Sequence, residues 1–138
     1  MLSIFDQNRT TILIPMRALN EGKSRLSSFL SPNSRARLVK LLFSQLLKKL
    51  NTLKFEYPFI FSKVIVITPC EKVKKISEKF GAFVFMETEP NGLNSALKLG
   101  MSWSLENRYD SILIIPGDLI DPNADDIKKI LKMGKNSK

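Results

Sequence analysis

The sequence has 138 residues and a formal net charge of +9, from 22 lysines and arginines against 13 aspartates and glutamates. This length suits a single domain over residues 1–138, and the 43% of hydrophobic residues can supply a core. Histidine is absent and Cys70 is the single cysteine. An internal disulfide is therefore excluded, and triad hydrolysis and zinc chemistry are disfavoured.

The predicted elements alternate between strands and helices along the chain. Short apolar or β-branched runs predict strands at 11–15, 63–68, 82–86 and 111–115. Apolar residues at helical spacing predict a first helix between residues 32 and 51 and further helices at 71–80, 91–106 and 121–133. Asn33 or Ser34 is expected to cap the first helix, and Gly81 is expected to end the second. Residues 16–31 are expected to form a polar loop with at most one short turn.

This alternation predicts an α/β fold with a mostly parallel sheet, covered by helices on both sides. Three of the four strands have the composition of strands buried on both faces. We expect the strand order 3-2-1-4, with the topological switch between the first and fourth strands. Ligands of such sheets bind beyond the carboxyl ends of the strands, at the switch.

The basic balance favours an anionic partner, although a merely solvated basic surface is about equally consistent with it. The lysines are spread over several predicted helices rather than grouped in one stripe, so a nucleic-acid partner is not expected. No apolar run is long enough to cross a bilayer, and residues 1–6 do not resemble a signal peptide. We therefore expect a cytoplasmic protein without a membrane partner.

The loop after the first strand brings Arg17, Lys23 and Arg25 close together. Lysine offers a point charge and arginine a bidentate fork, and both suit phosphate oxygens. Gly22 would let the backbone approach an anion closely. The loop lacks the complete Walker frame, and by spacing alone a solvated basic loop is the more frequent interpretation.

Two further segments leave the same edge of the predicted sheet. An Asn-Gly turn enters the third helix, where Asn94 and free backbone N–H groups could meet a ligand, although for this segment alone simple capping by Asn91 is the more frequent interpretation. Asp118 follows the fourth strand, where a carboxylate beside a phosphate site is a natural Mg²⁺ ligand. Asp121 is interpreted as a helix cap and Asp110 as part of a turn.

Three stretches together resemble one known family, and they read IPMRALNEGKSRLSSFLSPNSRARLVKLL, NGLNSAL and IIPGDL. The chain is similar over 11–131 to the guanylyltransferases of coenzyme F420 biosynthesis (the CofC/FbiD family). These proteins have a loop ending Lys-Ser/Thr-Arg-Leu, then a Gly-Leu-Asn-x-Ala-Leu segment and a Pro-Ala-Asp-Leu-Pro segment, in this order.

The resemblance implies a three-layer nucleotidyltransferase fold, like that of nucleotide-diphospho-sugar transferases. It also implies transfer of the guanylyl group of GTP, with Mg²⁺, to 2-phospho-L-lactate, phosphoenolpyruvate or 3-phosphoglycerate, with release of pyrophosphate. Carried over by motif, Lys23, Arg25 and Asp118 would be catalytic, and Asp118 would bind the metal. The implied nucleotide-binding residues are Arg17, Gly22, Lys23, Arg25, Gly92, Leu93 and Asn94.

The chain departs from the family pattern in composition and in length. Arg17 stands where relatives often have Lys or Ser, Gly117 replaces the usual Ala, and Ile120 replaces the usual Pro. The later Gly-Gly-Thr-Asn and Gly-x-x-Ser segments do not occur, so the C-terminal part of the fold is expected to be missing. An inactive or partner-dependent nucleotide-binding module and a relative of the molybdenum-cofactor guanylyltransferases remain alternatives. The fourth strand is expected to be an apolar edge, open to a second copy or a partner chain.

Overall fold

A computed structural model describes residues 10–23, 28–87, 93–106, 111–118 and 124–136 of the chain. The described strands are β1 (Thr10–Pro15), β2 (Lys63–Thr68), β3 (Phe83–Met86) and β4 (Ser111–Ile114). The described helices are α1 (Pro32–Glu56), α2 (Glu71–Lys79), α3 (Leu93–Glu106) and α4 (Ala124–Asn136). A 3₁₀ turn, Leu19–Glu21, lies between β1 and α1.

The four strands form one parallel sheet in the order β3-β2-β1-β4, which confirms the predicted topology. Ile12 of β1 pairs with Val64 of β2 on one side and with Leu113 of β4 on the other. The chain moves outward from β1 to β2 and β3, and then crosses back to the other side of β1. The switch therefore lies between β1 and β4, as expected from the sequence.

Helix α1 begins two or three residues earlier than the expected caps would place it. Ser31 is the N-cap, and its side chain accepts a hydrogen bond from the Ser34 N–H at 3.2 Å. Pro32 occupies the first helical position, where its missing N–H costs nothing. The prediction of Asn33 or Ser34 as the cap is therefore wrong, because the proline starts the helix rather than preceding it.

The same helix continues past the predicted end at residue 51 and ends at Glu56. Leu53 remains buried, so the apolar face of the helix extends through this extra turn. The Lys54 ammonium donates hydrogen bonds to the carbonyl oxygens of Pro58, at 2.7 Å, and of Phe61. Burial lowers the pKa of Lys54. These contacts hold the chain as it turns from α1 towards β2.

The larger part of the core lies on one face of the sheet. Ile12 and Ile14 of β1 and Val66 of β2 belong to it. The buried side chains of α1 in this core are Val39, Phe43, Leu46, Leu47, Leu50 and Leu53, and α4 adds Ile127 and Leu131. This packing explains why α1, whose leucines recur at helical spacing, is the longest described helix.

The opposite face carries a smaller core beneath α3. Leu13, Ile65 and Ile67 are fully buried there, and Trp103 packs against them. Gly100 allows α3 to approach closely, since a Cβ at this position would lie 2.7 Å from Leu13 Cδ1 and 2.8 Å from Ile67 Cδ1. The helix backbone therefore rests directly on the sheet.

The expectation of three strands buried on both faces is wrong. β1 and β2 are buried over most of their length, but Phe83 of β3 and Ile114 of β4 remain 47% and 43% exposed. Both strands are at the edges of the sheet, where the described helices do not fully cover them. Their apolar composition therefore does not imply burial in this chain.

No helix among the described residues combines the length and the apolar character required to cross a lipid bilayer.

The contact between Gly100 and the sheet can be tested by adding a side chain. We expect Gly100→Val to destabilise the fold by roughly 1–3 kcal/mol more than its control, because the new side chain overpacks Leu13 and Ile67. The control is Ser102→Val, which introduces the same β-branched residue at an exposed position of α3. Chemical denaturation measures both free energies of unfolding. Equal losses in the two variants would show that α3 is not seated on the sheet through Gly100.

Candidate functional site

A pocket of about 210 Å³ opens at the carboxyl ends of β1 and β4. Its lining residues are Pro15, Met16, Arg17, Ala18, Glu21, Gly22, Lys23 and Asp118. All except Asp118 belong to the end of β1 and the loop that follows it. The pocket thus lies at the topological switch, where ligands bind in open parallel sheets.

The loop after β1 is shaped by backbone hydrogen bonds and by contacts with α1. The Glu21 and Gly22 N–H groups donate to the Ala18 and Leu19 carbonyls, at 3.0 and 3.4 Å, and so close the 3₁₀ turn. Arg35 of α1 reaches back to the Asn20 carbonyl at 3.2 Å. The turn is therefore held against the first part of α1.

Gly22 packs directly against α1. A Cβ at Gly22 would lie 2.6 Å from Val39 Cγ2, and Val39 is fully buried. The backbone angles of Gly22, φ −70° and ψ 155°, are open to other residues. Glycine is therefore required here by the close approach to Val39 and not by backbone conformation.

Lys23 and Asp118 meet in the pocket although they are 95 positions apart in sequence. The Lys23 backbone N–H donates a hydrogen bond to Asp118 Oδ2 at 3.2 Å. Lys23 has φ +54°, in the left-handed region that non-glycine residues rarely adopt. Both residues are half-buried. The loop after β1 and the end of β4 are thus joined by a charge-assisted hydrogen bond.

Gly117, the residue before Asp118, also lies very close to a buried side chain. Gly117 is buried, and a Cβ at this position would lie 2.1 Å from Met16 Sδ and 2.5 Å from Met16 Cγ. Met16 is itself buried at 7% exposure. In this chain the Met16 side chain fills the space that an alanine at position 117 would require, so Gly117 and Met16 depend on each other.

Glu87 lies beyond β3 at the same edge of the sheet, where its N–H donates to the Thr68 carbonyl at 2.9 Å. Burial raises the pKa of Glu87, and the positive charge of Arg17 opposes this shift in part. Arg17 is exposed and lines the pocket. The positive charge of Arg17 therefore acts on Glu87 at the end of β3.

The described site includes part of the set predicted from sequence. Arg17, Gly22, Lys23 and Asp118 line one pocket. Arg25 and Gly92 lie outside the described residues. Leu93 and Asn94 are the first two residues of α3, and the structure does not describe their side chains. The interpretations of Asn91 and Asp121 as helix caps and of Asp110 as a turn residue also fall outside the described residues.

Sequence reasoning missed Met16, Glu21 and Glu87. Met16 and Glu21 belong to the loop whose cations predict a phosphate site, but an apolar and an acidic side chain give no signal for phosphate binding. Glu87 directly follows a predicted strand, so its place at the carboxyl edge of the sheet could have been inferred from topology. Its raised pKa depends on burial, which the sequence does not reveal.

A second pocket, of about 220 Å³, lies at the opposite edge of the sheet, where β2 and β3 begin. Its lining is largely apolar and includes Leu47, Leu50 and Phe83. Lys54 also lines this pocket, and its ammonium already donates hydrogen bonds to two carbonyl oxygens. Of the two pockets, only the first combines cations with carboxylates, and it is therefore the candidate site.

Solved structures with the same arrangement of strands and helices show the fold class. A protein described as a nucleotide-diphospho-sugar transferase, from Desulfovibrio desulfuricans G20, matches 91% of this chain and 54% of its own, with a TM-score of 0.62 and 17% identity. CMP:2-keto-3-deoxy-manno-octonic acid synthetase, solved with CTP, matches 93% and 48%, with a TM-score of 0.58 and 18% identity. The chain therefore has a nucleotide-diphospho-sugar transferase-like fold.

The sequence comparison defines the family within this class. The profile described as "Guanylyl transferase CofC like" matches residues 10–138, and the chain belongs to this family. It is 32% identical over 123 residues to the 3-phospho-D-glycerate guanylyltransferase of Colwellia psychrerythraea, covering 89% of this chain and 56% of that protein.

Other relatives carry different substrate names. The phosphoenolpyruvate guanylyltransferase of Sphaerobacter thermophilus is 30% identical over 122 residues, covering 88% of this chain and 56% of its own. The 2-phospho-L-lactate guanylyltransferase of Methanobrevibacter ruminantium is 27% identical over 135 residues, covering 90% and 54%. The chain spans about half the length of these curated relatives.

The raised pKa of Glu87 predicts a pH-dependent stability. A carboxyl group whose pKa is raised by folding contributes stability below its unfolded pKa, about 4.3, and loses it as the pH rises through the folded value. We therefore expect Glu87→Gln to raise the melting temperature at pH 7 but not at pH 4. Thermal unfolding at both pH values measures the effect, with Glu78→Gln on the exposed side of α2 as the control. The same change at both pH values would contradict the burial of Glu87.

Proposed function

We propose that the chain is the GTP-binding portion of a guanylyltransferase, which joins GTP to a small phosphorylated acid and releases pyrophosphate. The observation that carries this proposal is the meeting of Lys23 and Asp118 in one pocket with Arg17, at the switch between β1 and β4. Cations and a carboxylate at this edge are the groups that nucleotidyl transfer requires. Membership in the CofC-like family supports the same reaction class.

In this proposal the cations of the loop after β1 bind the triphosphate. Arg17 and Lys23 line the pocket, and Arg25 follows them in sequence. Their positive charge would stabilise the negative charge that builds on the phosphate oxygens and on the departing pyrophosphate. The close packing of Gly22 on Val39 keeps this backbone near the pocket wall. Lys23 and Arg25 are the proposed catalytic cations.

The nucleoside part of GTP would lie towards the start of α3. Gly92, Leu93 and Asn94 are the proposed contacts, by their match to the family motif. Helix α3 begins at Leu93 and packs on β1 and β2 through Gly100. Because it connects two parallel strands, β3 and β4, its first turn comes after the carboxyl end of β3, on the same side of the sheet as the ends of β1 and β2. The free N–H groups of a helix start can donate to a nucleotide.

Mg²⁺ is the proposed cofactor, and the donors in the pocket fit it. Asp118 supplies a carboxylate beside the cationic loop. Within the described residues, no group of three His, Cys, Asp or Glu side chains could hold a metal ion alone. This agrees with the way Mg²⁺ usually binds, through one or two carboxylates together with substrate phosphates. When bound, Mg²⁺ would neutralise charge on the phosphate oxygens.

The acceptor in the proposal is 2-phospho-L-lactate, phosphoenolpyruvate or 3-phosphoglycerate, the acids in the names of the relatives. An oxygen of the acceptor phosphate attacks the α-phosphorus of GTP, the bond from that phosphorus to the β-phosphate oxygen breaks, and pyrophosphate leaves. With these substrates we place the reaction in coenzyme F420 biosynthesis or a related pathway, in the cytoplasm.

A second candidate function is a nucleotide-binding module that requires a partner chain for activity. It is favoured by β4, which is at the edge of the described sheet and leaves Ile114 43% exposed. We propose that this edge accepts a second polypeptide, either another copy or a partner chain.

Binding of GTP is the first test. We expect GTP with Mg²⁺ to raise the melting temperature of the protein more than ATP or CTP does.

Lys23→Ala should weaken GTP binding by more than about tenfold, as the loss of a charge-assisted contact. Calorimetry measures the affinities, with Lys40→Ala on the exposed side of α1 as the control. Unchanged affinity in Lys23→Ala would remove this residue from the site. Pyrophosphate release with each acid then distinguishes an enzyme from a binding module.

The β4 edge can be tested by sedimentation. We expect the protein to self-associate as its concentration rises, and Ile114→Lys to weaken this association by about tenfold because lysine protects sheet edges from pairing. Phe55→Lys replaces another exposed apolar residue, on α1, and serves as the control. A monomer at all concentrations would contradict self-association. A dimer equally weakened by both variants would show that β4 is not the contact.

A further inference from the structure

We propose that Lys23 acts on Asp118 through its backbone, separately from any contact that its ammonium makes with a ligand. The Lys23 N–H would hold Asp118 Oδ2 and so orient the carboxylate in the pocket. Lys23 would then be a positioning residue as well as a cation. This inference rests on the proposed nucleotide site, because the orientation of Asp118 matters only if Asp118 serves a metal-bound nucleotide.

The backbone conformation of Lys23 is the first observation behind this inference. Among the described residues other than glycine, Lys23 is the one with a positive φ, at +54°. The left-handed region costs an L-residue free energy, and such strain concentrates at functional sites. Here the strained conformation places the Lys23 backbone nitrogen 3.2 Å from Asp118 Oδ2, although the two residues are 95 positions apart in sequence.

Both partners of this hydrogen bond follow a glycine that is seated on a buried side chain. Gly22, before Lys23, approaches Val39 of α1 so closely that a Cβ would lie 2.6 Å from Val39 Cγ2. Gly117, before Asp118, approaches Met16 with a corresponding distance of 2.1 Å to Sδ. The backbone next to the donor and the backbone next to the acceptor therefore both lie against buried side chains.

This arrangement prepares the carboxylate before any ligand arrives. Groups that are held in place before binding avoid the cost of being ordered during it. A hydrogen bond from a backbone N–H restricts the rotation of the Asp118 carboxylate without adding a competing positive charge. The Lys23 ammonium meanwhile remains a separate group, which the same residue can direct at phosphate oxygens.

The test compares variants of Lys23 that all lack the ammonium. Lys23→Gly keeps the N–H and favours the left-handed backbone, whereas Lys23→Val keeps the N–H but strongly disfavours that backbone. The readout is the ratio of the GTP dissociation constants measured in EDTA and in Mg²⁺. This ratio isolates the metal-dependent part of binding, and the value in EDTA reports the loss of the ammonium.

We expect the two variants to bind GTP equally in EDTA but to differ in the metal-dependent ratio. Lys23→Gly should keep the wild-type ratio within about twofold, and Lys23→Val should lower it by about fivefold or more, on the scale of the cost of a left-handed residue. Asp118→Ala should reduce the ratio to about one in every background. Equal ratios in Lys23→Gly and Lys23→Val would overturn the inference.

A structural readout keeps this test separate from the proposed function. In ¹⁵N-labelled protein, Asp118→Asn should shift the amide resonance of Lys23, whereas Asp126→Asn, at an exposed position of α4, should not. A Lys23 amide that does not respond to Asp118→Asn would overturn the inference even if GTP binds. A responsive amide in a protein that shows no Mg²⁺-dependent GTP binding would contradict the proposed function instead, while supporting the contact between Lys23 and Asp118.

Discussion

The pairing of β1 with both β2 and β4 is the constraint on which the rest of the structure depends. Because β1 is central, its carboxyl end lies beside the carboxyl end of a strand from late in the chain. The loop after β1 and the turn after β4 therefore face the same pocket, and Lys23 and Asp118 come within hydrogen-bond distance. A sheet with β4 next to β3 would separate these two residues by the width of the sheet.

The sheet could be predicted from the sequence because its evidence is local and repeated. Apolar runs alternate with helical spacing, and parallel topology then limits the strand order to few choices. The errors occur where tertiary contacts decide the outcome. The end of α1 at Glu56 depends on burial of Leu53, and the partial exposure of Ile114 depends on which elements cover β4. Neither fact is visible in the residue types themselves.

Only part of the candidate site could be predicted from the sequence. Residue chemistry and the family motif singled out Lys23 and Asp118, and topology predicted that they would meet. The backbone hydrogen bond between them was not foreseen, because it depends on a positive φ at a lysine, and a lysine gives no signal for this conformation. The supporting contact between Gly117 and Met16 was equally hidden, since glycine in place of alanine indicated only a departure from the family pattern.

That departure has a physical consequence for how the family motif should be interpreted in this chain. An alanine at position 117 would project its Cβ into Met16, so the glycine cannot be considered alone. A smaller residue at 117 and a large, adaptable side chain at 16 fill one volume between β1 and β4. Gly117 leaves room for the buried Met16 side chain beside the backbone that precedes Asp118. The position of the carboxylate therefore depends on this packing as well as on the hydrogen bond from Lys23.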